Sequence, residues 1–259
     1  MTIFDQKKTD NIICHIDMSS GNQNIKERIS EVWGDYIAYH IYNFYDNDYI
    51  KTYEELSESL GNIRLCPAVN SNKMELKKST DIKYNSELYH YFAANTRQPL
   101  HTDYAYYPSD EHPDWLMLYC LGVPEYGGLT HILSVKTLKI ILEKYNPLLL
   151  KKIHTNITWK YNGIDGEKIH SKPLLDNEFI NWNYWQIKED INSPEVMEIR
   201  QEFFNFLENV IVDGNIYDFS KKWNVGDCII FNDHLTLHGR DAFLGNDRWL
   251  KDHAFFNKK

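Results

Sequence analysis

The sequence has only four cysteines among its 259 residues, and they lie far apart. None of them forms a Cys-x-x-Cys pair, which argues against a zinc knuckle or a redox dithiol. Neither a Gly-x-Gly-x-x-Gly pattern nor a phosphate-loop pattern is present, so we do not expect a nucleotide cofactor.

Long apolar segments and blocks of positive charge are also missing. No apolar run reaches the length of a transmembrane helix. Residues 1–10 are polar and no apolar stretch follows them, unlike a secretory signal peptide. The formal net charge is -9 and the basic residues are scattered, which disfavours nucleic acid or a membrane surface as a partner. We therefore expect a cytoplasmic protein.

The composition suits a globular domain with a substantial core. Hydrophobic residues make up 42% of the chain and charged residues 25%, which is ordinary for a globular protein. Aromatic residues reach 14% and suit both sheet cores and pocket walls. No repeat, low-complexity segment or linker divides the chain. We expect a single domain over residues 1–259, with residues 1–65 as a mixed part that packs on the core.

The local patterns predict short strands interrupted by helices. Two helices are expected early, at 25–36 and 49–60, and the second stops at Gly61. From Leu88 onward, short β-like runs alternate with Gly, Pro, Asn and Asp. These runs are 115–121, 156–161 and 228–231. The pattern predicts a mainly β fold with helical insertions and a double-stranded β-helix (jelly-roll) core.

Two further helices are expected within the β-rich part. One covers 135–144 and is followed by Pro147. The other has Ser193 as its N-cap and Pro194 in its first turn. Its apolar residues recur at helical spacing and end before Gly214, which indicates core packing.

The triplet His101-Thr102-Asp103 is the strongest chemical signal in the chain. In an extended segment, residues i and i+2 point to the same face, so His101 and Asp103 can converge on one metal. Two histidines and one carboxylate form the facial triad of non-haem Fe(II) sites with open positions. The third ligand must come from elsewhere. The apolar run 228–231 delivers His234 and His238 at its far end, and spacing alone does not choose between them.

An arginine close after the third ligand can bind a carboxylate bidentately, as an oxo-acid co-substrate requires. Arg248 is the preferred candidate for this role and Arg240 is the alternative. Two other functions use similar residues. A catalytic zinc site also has three protein ligands and an open position, and a metal-binding jelly-roll can bind a ligand without turnover. In both of these alternatives, the arginine has no carboxylate to bind.

Three segments resemble the Fe(II)/2-oxoglutarate-dependent oxygenases of the taurine dioxygenase (TauD/TfdA) and clavaminate synthase-like family. They read PLHTDYAY at 99–106, YGGLT at 126–130, and LHGR to GNDRWL within 237–250. They occur in the family's order, and the likeness covers roughly residues 90–255. It implies Fe(II), 2-oxoglutarate and O2 as cofactor and co-substrates. It also implies His101, Asp103 and His238 as iron ligands, and Thr130 and Arg248 as the residues that bind the distal carboxylate of 2-oxoglutarate.

The resemblance further implies hydroxylation of an unactivated C–H bond, with release of succinate and CO2. Related halogenases have a small residue where this chain has the carboxylate of Asp103, so hydroxylation, or less often desaturation, is expected. The implied substrate is a small amino acid or amino-acid derivative, free or carrier-bound.

Two departures from the family pattern leave the substrate subgroup open. Asp103 stands where the clavaminate synthase group usually has Glu, and Lys251-Asp252 stands where a second basic residue often follows. Four residues near the triplet are candidates for lining the substrate pocket: Asn95, Arg97, Tyr104 and Tyr106.

Overall fold

The short apolar runs of the sequence form strands that pair into two facing sheets. The structure, a computed structural model, describes residues 12–20, 24–67, 76–86, 93–154, 159–162, 169–176 and 178–258. Within these ranges no helix is both long and apolar enough to cross a membrane.

The strands are β1 Ile13–Asp17, β2 Ala38–Tyr42, β3 Gly61–Ile63, β4 Cys66–Pro67, β5 Leu76–Lys77, β6 Thr80–Lys83, β7 Gln98–His101, β8 Trp115–Gly122, β9 Tyr126–Gly127, β10 Thr130–Ser134, β11 Trp159–Asn162, β12 Ile169–Lys172, β13 Leu175–Asp176, β14 Phe179–Ile180, β15 Phe219–Lys221, β16 Cys228–Asn232, β17 Thr236–Arg240, β18 Phe243–Leu244 and β19 Trp249–Asn257. The helices are α1 Ile25–Ser30, α2 Tyr49–Leu60, α3 Val135–Tyr145, α4 Pro147–His154 and α5 Pro194–Phe206, which continues as a π-helical segment, Leu207–Val212.

The larger sheet has the order β1-β2-β16-β8-β19, and both β3 and β6 pair with β19. The smaller sheet has the order β15-β10-β17-β7. The pair β1–β2 is parallel, and the other pairings in the two sheets are antiparallel. A buried cluster that includes Leu118, Ile132 and Phe231 joins the inner faces of the two sheets. This arrangement confirms the mainly β, jelly-roll fold predicted from the sequence.

Helices cover the outer face of each sheet. Because successive side chains of a strand point to opposite faces, Met117 and Tyr119 of β8 face outward and pack against Tyr53 and Leu56 of α2. On the other side, α3, α4 and α5 pack against outward residues of the smaller sheet such as Leu133. Within the described residues, the two sheets therefore contact each other only through their inner faces.

The N-terminal part contributes to the larger sheet directly. The strands β1, β2 and β3 all belong to it, so residues 1–65 do more than pack on a finished core. The predicted helix at 25–36 is shorter than expected and ends at Ser30. The chain turns because Gly34 has a positive φ of 89°, and the backbone N–H of Gly34 donates to the hydroxyl of Tyr39 at 2.7 Å.

The other helix predictions agree closely with the structure. α2 spans the predicted residues, and the Ser193 side chain caps α5 by accepting from the N–H of Val196. The prediction missed α4, because Pro147 opens a new helix instead of simply following the previous one. The strand predicted at 156–161 begins at Trp159, and residues 156–158 lie outside the described part.

Candidate active site

The structure brings together the three residues proposed as metal ligands. His101 ends β7, and His238 of β17 is its direct cross-strand partner. Directly opposed residues lie close in an antiparallel pair, and the two imidazole centroids are 4.3 Å apart. Asp103 follows two residues after His101. Ligand atoms of all three side chains lie within 4.8 Å of one another.

The donor atoms of this cluster point at a common position. Asp103 Oδ1 lies 3.1 Å from His101 Nε2, and Asp103 Oδ2 lies 3.6 Å from His238 Nε2. His101 Nδ1 is 2.9 Å from the carbonyl oxygen of Pro99. An Nδ1–H donor to this carbonyl leaves Nε2 as a free lone pair for a metal. Two imidazoles and one carboxylate are the donor set that suits Fe(II) with open positions.

The cluster is exposed on one side only. The side chains of His101 and His238 are 6% and 8% exposed, whereas Asp103 keeps 36% of its side-chain surface open. Burial lowers the pKa of His238 to about 4, so at neutral pH it is the neutral imidazole that a metal requires. Although burial opposes its charge, Asp103 keeps a pKa below its ordinary value because the imidazoles of His238 and His101 lie beside it.

Asp233 lies directly behind the cluster and supports it. Its fully buried carboxylate faces the backbone N–H groups of Asp103 and Tyr104 at 3.3 and 3.4 Å. It lies 2.9 Å from His112 Nε2, and 3.8 Å from His238 Nδ1. Burial and the nearby Asp103 charge raise the pKa of Asp233 to about 6. A carboxylate behind a ligating histidine orients the ring. The sequence analysis missed this residue.

His234, the alternative third ligand, lies outside the cluster. Its ring lies against the ring of His112 in a tilted arrangement, with centroids 3.9 Å apart. The chain reverses between β16 and β17 at residues 233–235, so His234 belongs to the turn while His238 belongs to the strand beside β7. The geometry therefore favours His238 as the third ligand.

Thr130 lies one step along the smaller sheet from His238. Ile132 is the cross-strand partner of His238, and Thr130 is the partner of Arg240. These side chains share the inner face because alternate residues of a strand point the same way. The Oγ1 of Thr130 accepts a hydrogen bond from Trp223 Nε1 at 2.6 Å. The hydroxyl hydrogen of Thr130 is thereby left to donate to a ligand.

Arg248 is a buried guanidinium with unsatisfied donors. Its side chain is 3% exposed, and its Nε and Nη1 have no hydrogen-bond partner within the described residues. Burial lowers the pKa of Arg248 to about 9, and Arg240 adds to the effect. A buried charge without a partner is costly, so a carboxylate ligand fits this position.

Arg240, the alternative clamp, is partly satisfied by the protein. Its Nη2 donates to the carbonyl oxygens of Ala94 and Thr96, both at 2.7 Å, whereas its Nε and Nη1, like those of Arg248, have no hydrogen-bond partner within the described residues. Both arginines lie over Phe243, with Cζ to centroid distances of 4.8 Å for Arg240 and 5.3 Å for Arg248. Arg240 therefore holds the segment before β7, and Arg248 is the better candidate for binding a carboxylate.

The Gly127-Gly128 pair brings the segment before Thr130 close to this arginine. Both glycines have a φ of 72°, which side chains rarely adopt. A Cβ on Gly127 would lie 2.2 Å from the carbonyl oxygen of Ala242, and one on Gly128 would lie 3.9 Å from Arg248 Cδ. Only glycine allows this approach.

Two of the four candidate pocket residues, Tyr104 and Tyr106, lie one and three residues after Asp103. Tyr104 is buried, and its hydroxyl is 3.7 Å from the sulfur of Cys66. Tyr106 packs partly against the apolar cluster under α3, α4 and α5. Tyr104 is therefore the better placed of the two for contact with a substrate.

The other two candidate pocket residues are engaged by the protein. The guanidinium of Arg97 is paired with the carboxylate of Glu208 in the π-helical segment. The carbonyl oxygen of Asn95 accepts a hydrogen bond from the N–H of Phe243 at 3.0 Å. A substrate contact by Arg97 must therefore share its charge with Glu208.

Taken together, these features define a class: a β-sheet protein with a cluster of two histidines and one carboxylate that can hold a metal ion, and a buried arginine whose unpartnered donors fit an anion. The family model described as Taurine catabolism dioxygenase TauD, TfdA family matches residues 19–252. The chain therefore belongs to this family, as its three motifs predicted.

A curated relative is similar over part of the chain. It is 3-((Z)-2-isocyanoethenyl)-1H-indole synthase from Fischerella ambigua, which is 26% identical over 177 residues. The match covers 61% of this chain and 62% of the relative, so the chain spans about six-tenths of the length of that protein.

Two solved structures show the same fold. One is an asparagine oxygenase in complex with Fe(II), 2S,3S-3-hydroxyasparagine and succinate, with a TM-score of 0.65 and 14% identity over 90% of this chain and 79% of that chain. The other is PvcB, an Fe, alpha-ketoglutarate dependent oxygenase from an isonitrile synthetic pathway. Its TM-score is 0.64 with 15% identity, and the match covers 95% of this chain and 85% of that chain.

Proposed function

We propose that the protein is an Fe(II)/2-oxoglutarate-dependent dioxygenase that oxidises an unactivated C–H bond of a small, amino-acid-like metabolite. One observation carries this proposal. His101 and His238 lie on the inner face of the smaller sheet and form a cluster with Asp103 of the following turn. The buried Arg248, whose Nε and Nη1 have no partner within the described residues, is near enough to Arg240, the next inward residue beyond His238, for their charges to interact. A metal and a dicarboxylate are the ligands that together satisfy these groups.

Each residue has a defined part in this proposal. The three ligands would hold Fe(II), while Arg248 and the Thr130 hydroxyl would hold the distal carboxylate of 2-oxoglutarate. With both bound, reduction of O2 is coupled to decarboxylation of the oxo acid to succinate and CO2 and to oxidation of the substrate.

The protein itself positions the reactants and excludes water. The buried ring of Phe231 lies 4.9 Å from the ring of His238, and apolar side chains fill the space between the sheets. Asp103 lies on the exposed side of the cluster, so the substrate would approach from there. Holding the reacting carbon near the metal on this side accounts for most of the protein's contribution.

Hydroxylation is the preferred outcome, and relatives that act on amino acids support it. The asparagine oxygenase structure contains 2S,3S-3-hydroxyasparagine. Desaturation is the second candidate, because the name of the curated relative includes an ethenyl group. The mass of the product distinguishes them: hydroxylation adds one oxygen atom, and desaturation removes two hydrogen atoms.

The cytoplasm is the proposed location. All four cysteines are free, which suits a reducing compartment.

The proposal is tested by turnover. Purified protein with Fe(II) and 2-oxoglutarate is incubated with a panel of free amino acids and their derivatives, and succinate is measured with and without O2. The proposal requires substrate-stimulated succinate that depends on O2 and on Fe(II). Conversion of a substrate without O2, in metal-free protein to which zinc has been added back, would indicate that the protein is a zinc hydrolase. Metal and ligand binding without succinate from any compound would point to a non-catalytic binding protein.

A further inference from the structure

Two residues of opposite charge, Arg64 and Asp252, lie on the inner face of the larger sheet at the same edge of β19. Asp252 pairs with Thr80 of β6. The N–H of Arg64 donates to the carbonyl oxygen of Ala254 at 2.8 Å, which continues the pairing of β3 with β19. Cross-strand partners share a face. Since Ala254 belongs to the inner cluster, the positions of Asp252 and Arg64 face inward with it.

Asp252 has no cationic partner. Its carboxylate accepts hydrogen bonds from Thr80, including one from the backbone N–H at 2.7 Å, and forms no salt bridge within the described residues. The neighbouring Lys251 faces outward and pairs with Asp81 at 3.2 Å. Burial, followed by the Asp103 charge, raises the pKa of Asp252 to about 7. The charge of Lys251 opposes this rise only weakly, as the last of its causes, and no salt bridge stabilises this carboxylate within the described residues.

Arg64 has the opposite charge, and it also lacks a salt-bridge partner within the described residues. Its guanidinium lies over the rings of Tyr104 and Tyr107, with Cζ to centroid distances of 4.9 and 4.3 Å. Its Nη1 is 3.6 Å from the sulfur of Cys66. No carboxylate lies within salt-bridge distance of it in the described part of the chain. The aromatic faces hold the guanidinium in place but leave its charge without an anion.

Tyr104 lies near both Arg64 and Asp252 and is adjacent in sequence to the proposed metal ligand Asp103. It directly follows the ligand Asp103, its ring lies under Arg64, and after burial the charge of Asp252 is the next largest cause of its raised pKa. Diagonal neighbours in an antiparallel sheet are about 7–8 Å apart. The two charges therefore lie beside the same ring, at diagonal positions of one sheet face, and a small molecule that carries both opposite charges can contact both of them.

We propose that Arg64 and Asp252 together recognise the zwitterionic head of a free α-amino acid. Arg64 binds the α-carboxylate and Asp252 binds the α-ammonium group, beside the side of the metal site that is open at Asp103. The inference deepens the proposed function and rests on it for the reaction. It excludes a substrate tethered to a carrier through its carboxylate, and one whose amino group is acylated.

The test compares matched ligands in wild type and variants. Free amino acids, their N-acetyl forms and their carboxamides are assayed by substrate-stimulated succinate release and by the shift they cause in the melting temperature. Free amino acids should be preferred by the wild type. Asp252→Asn should raise their KM by about tenfold or more and remove the discrimination against N-acetyl forms. Arg64→Met should likewise raise the KM for free amino acids by about tenfold or more and remove the discrimination against the carboxamides.

Lys251→Gln is the matched control, because Lys251 is adjacent in sequence but lies on the opposite face. It should leave KM unchanged. The melting temperature of each variant without ligand reports whether it folds. Anaerobic formation of the Fe(II)·2-oxoglutarate visible band should be unchanged in Asp252→Asn and Arg64→Met, since neither residue contacts that pocket.

The two proposals fail in different ways. If the wild type forms the visible band but prefers N-acetyl or carboxamide ligands, or if both variants keep the wild-type KM, the zwitterion site is overturned and the oxygenase proposal stands. If no band forms but free amino acids still shift the melting temperature in an Arg64- and Asp252-dependent way, the oxygenase proposal fails alone. If no free amino acid stabilises the wild type or stimulates turnover, the zwitterion site is refuted.

Discussion

The metal-binding region and the arginine pocket beside it are built in opposite ways. Around the proposed metal ligands the protein supplies most of the partners: His101 contacts Asp103 and the Pro99 carbonyl, and Asp233 accepts from the backbone behind them, whereas His238 Nδ1 has no hydrogen-bond partner within the described residues. In the pocket, Arg248 is buried with two unpartnered nitrogens. From this contrast we infer that the fold largely preorganises the proposed metal ligands, while the pocket depends on the charge of its ligand.

The largest expected effect comes from removing a ligand in the preorganised region. Asp103→Ala should abolish turnover and lower iron retention by more than the about 100-fold typical of losing a supporting residue. The iron content after anaerobic desalting measures this. His234→Ala is the control, because His234 lies outside the cluster. If His234→Ala lost more iron than His238→Ala, the assignment of the third ligand would be wrong.

Replacing the support behind the ligands should have the next largest effect. Asp233→Asn removes a charge 3.8 Å from His238 Nδ1 but keeps the shape of the side chain. Iron affinity should fall by about 10- to 100-fold, measured by competition with a chelator. A normal melting temperature with unchanged iron affinity would show that Asp233 only fixes the backbone.

Replacing the arginine of the pocket should weaken 2-oxoglutarate binding but stabilise the protein when no ligand is bound. Arg248→Met should raise the 2-oxoglutarate concentration needed for half-saturation by about 10- to 100-fold while leaving iron binding intact. Without 2-oxoglutarate the same variant should melt at a higher temperature, because it removes a buried unpaired charge.

Arg240→Met is the matched comparison for Arg248→Met. It should lower the melting temperature, because Arg240 holds the carbonyl groups of Ala94 and Thr96. If both variants lost stability equally, the distinction between the two arginines would fail.

The last prediction concerns the whole fold, not either region of the site: the stability should depend on pH because several histidines are buried. Burial lowers the pKa of His40 and His112 to about 3 and that of His253 to about 4. Their pKa in the unfolded chain is about 6.5, so below that pH the unfolded state binds more protons. The stability present above pH 6.5 is therefore lost as the pH falls toward these folded values, by about 2 kcal/mol for each histidine at pH 5.

The raised pKa values of Asp252 and Asp233, about 7 and about 6, act in the opposite direction and offset part of this loss. A net fall in the melting temperature between pH 7.5 and pH 5 is expected. His253→Gln, which lies on the outer face near Tyr119 and away from the metal site, should reduce the fall. An equal fall in this variant would assign the pH dependence to other groups.

The parts of the fold that sequence predicted well are those with local signals. α2 and α5 have capping side chains and apolar spacing within their own residues, and β8 and β16 are short apolar runs bounded by turns. The role of β1 and β2 was missed, because a parallel pair depends on a partner distant in sequence. Pro147 was read as the end of a helix although it also starts the next one.

The residues of the candidate site also differ in whether a local sequence pattern indicates them. His101 and Asp103 followed from their i, i+2 spacing, whereas spacing left His234 and His238 open until the resemblance and then the turn at 233–235 separated them. No sequence signal marks Arg64, and Asp252 stands out only as a departure from the family pattern. Their inward orientation depends on how β3 and β6 register against β19, and no local pattern reports that register.

The most direct test of the central claim is an anaerobic titration of the Fe(II)-loaded protein with 2-oxoglutarate, followed by visible absorption. The account predicts a saturable metal-to-ligand charge-transfer band in the wild type, the same band at higher 2-oxoglutarate in Arg248→Met, and none in His238→Ala. A wild-type protein that binds iron but shows no band at any concentration of 2-oxoglutarate would contradict it.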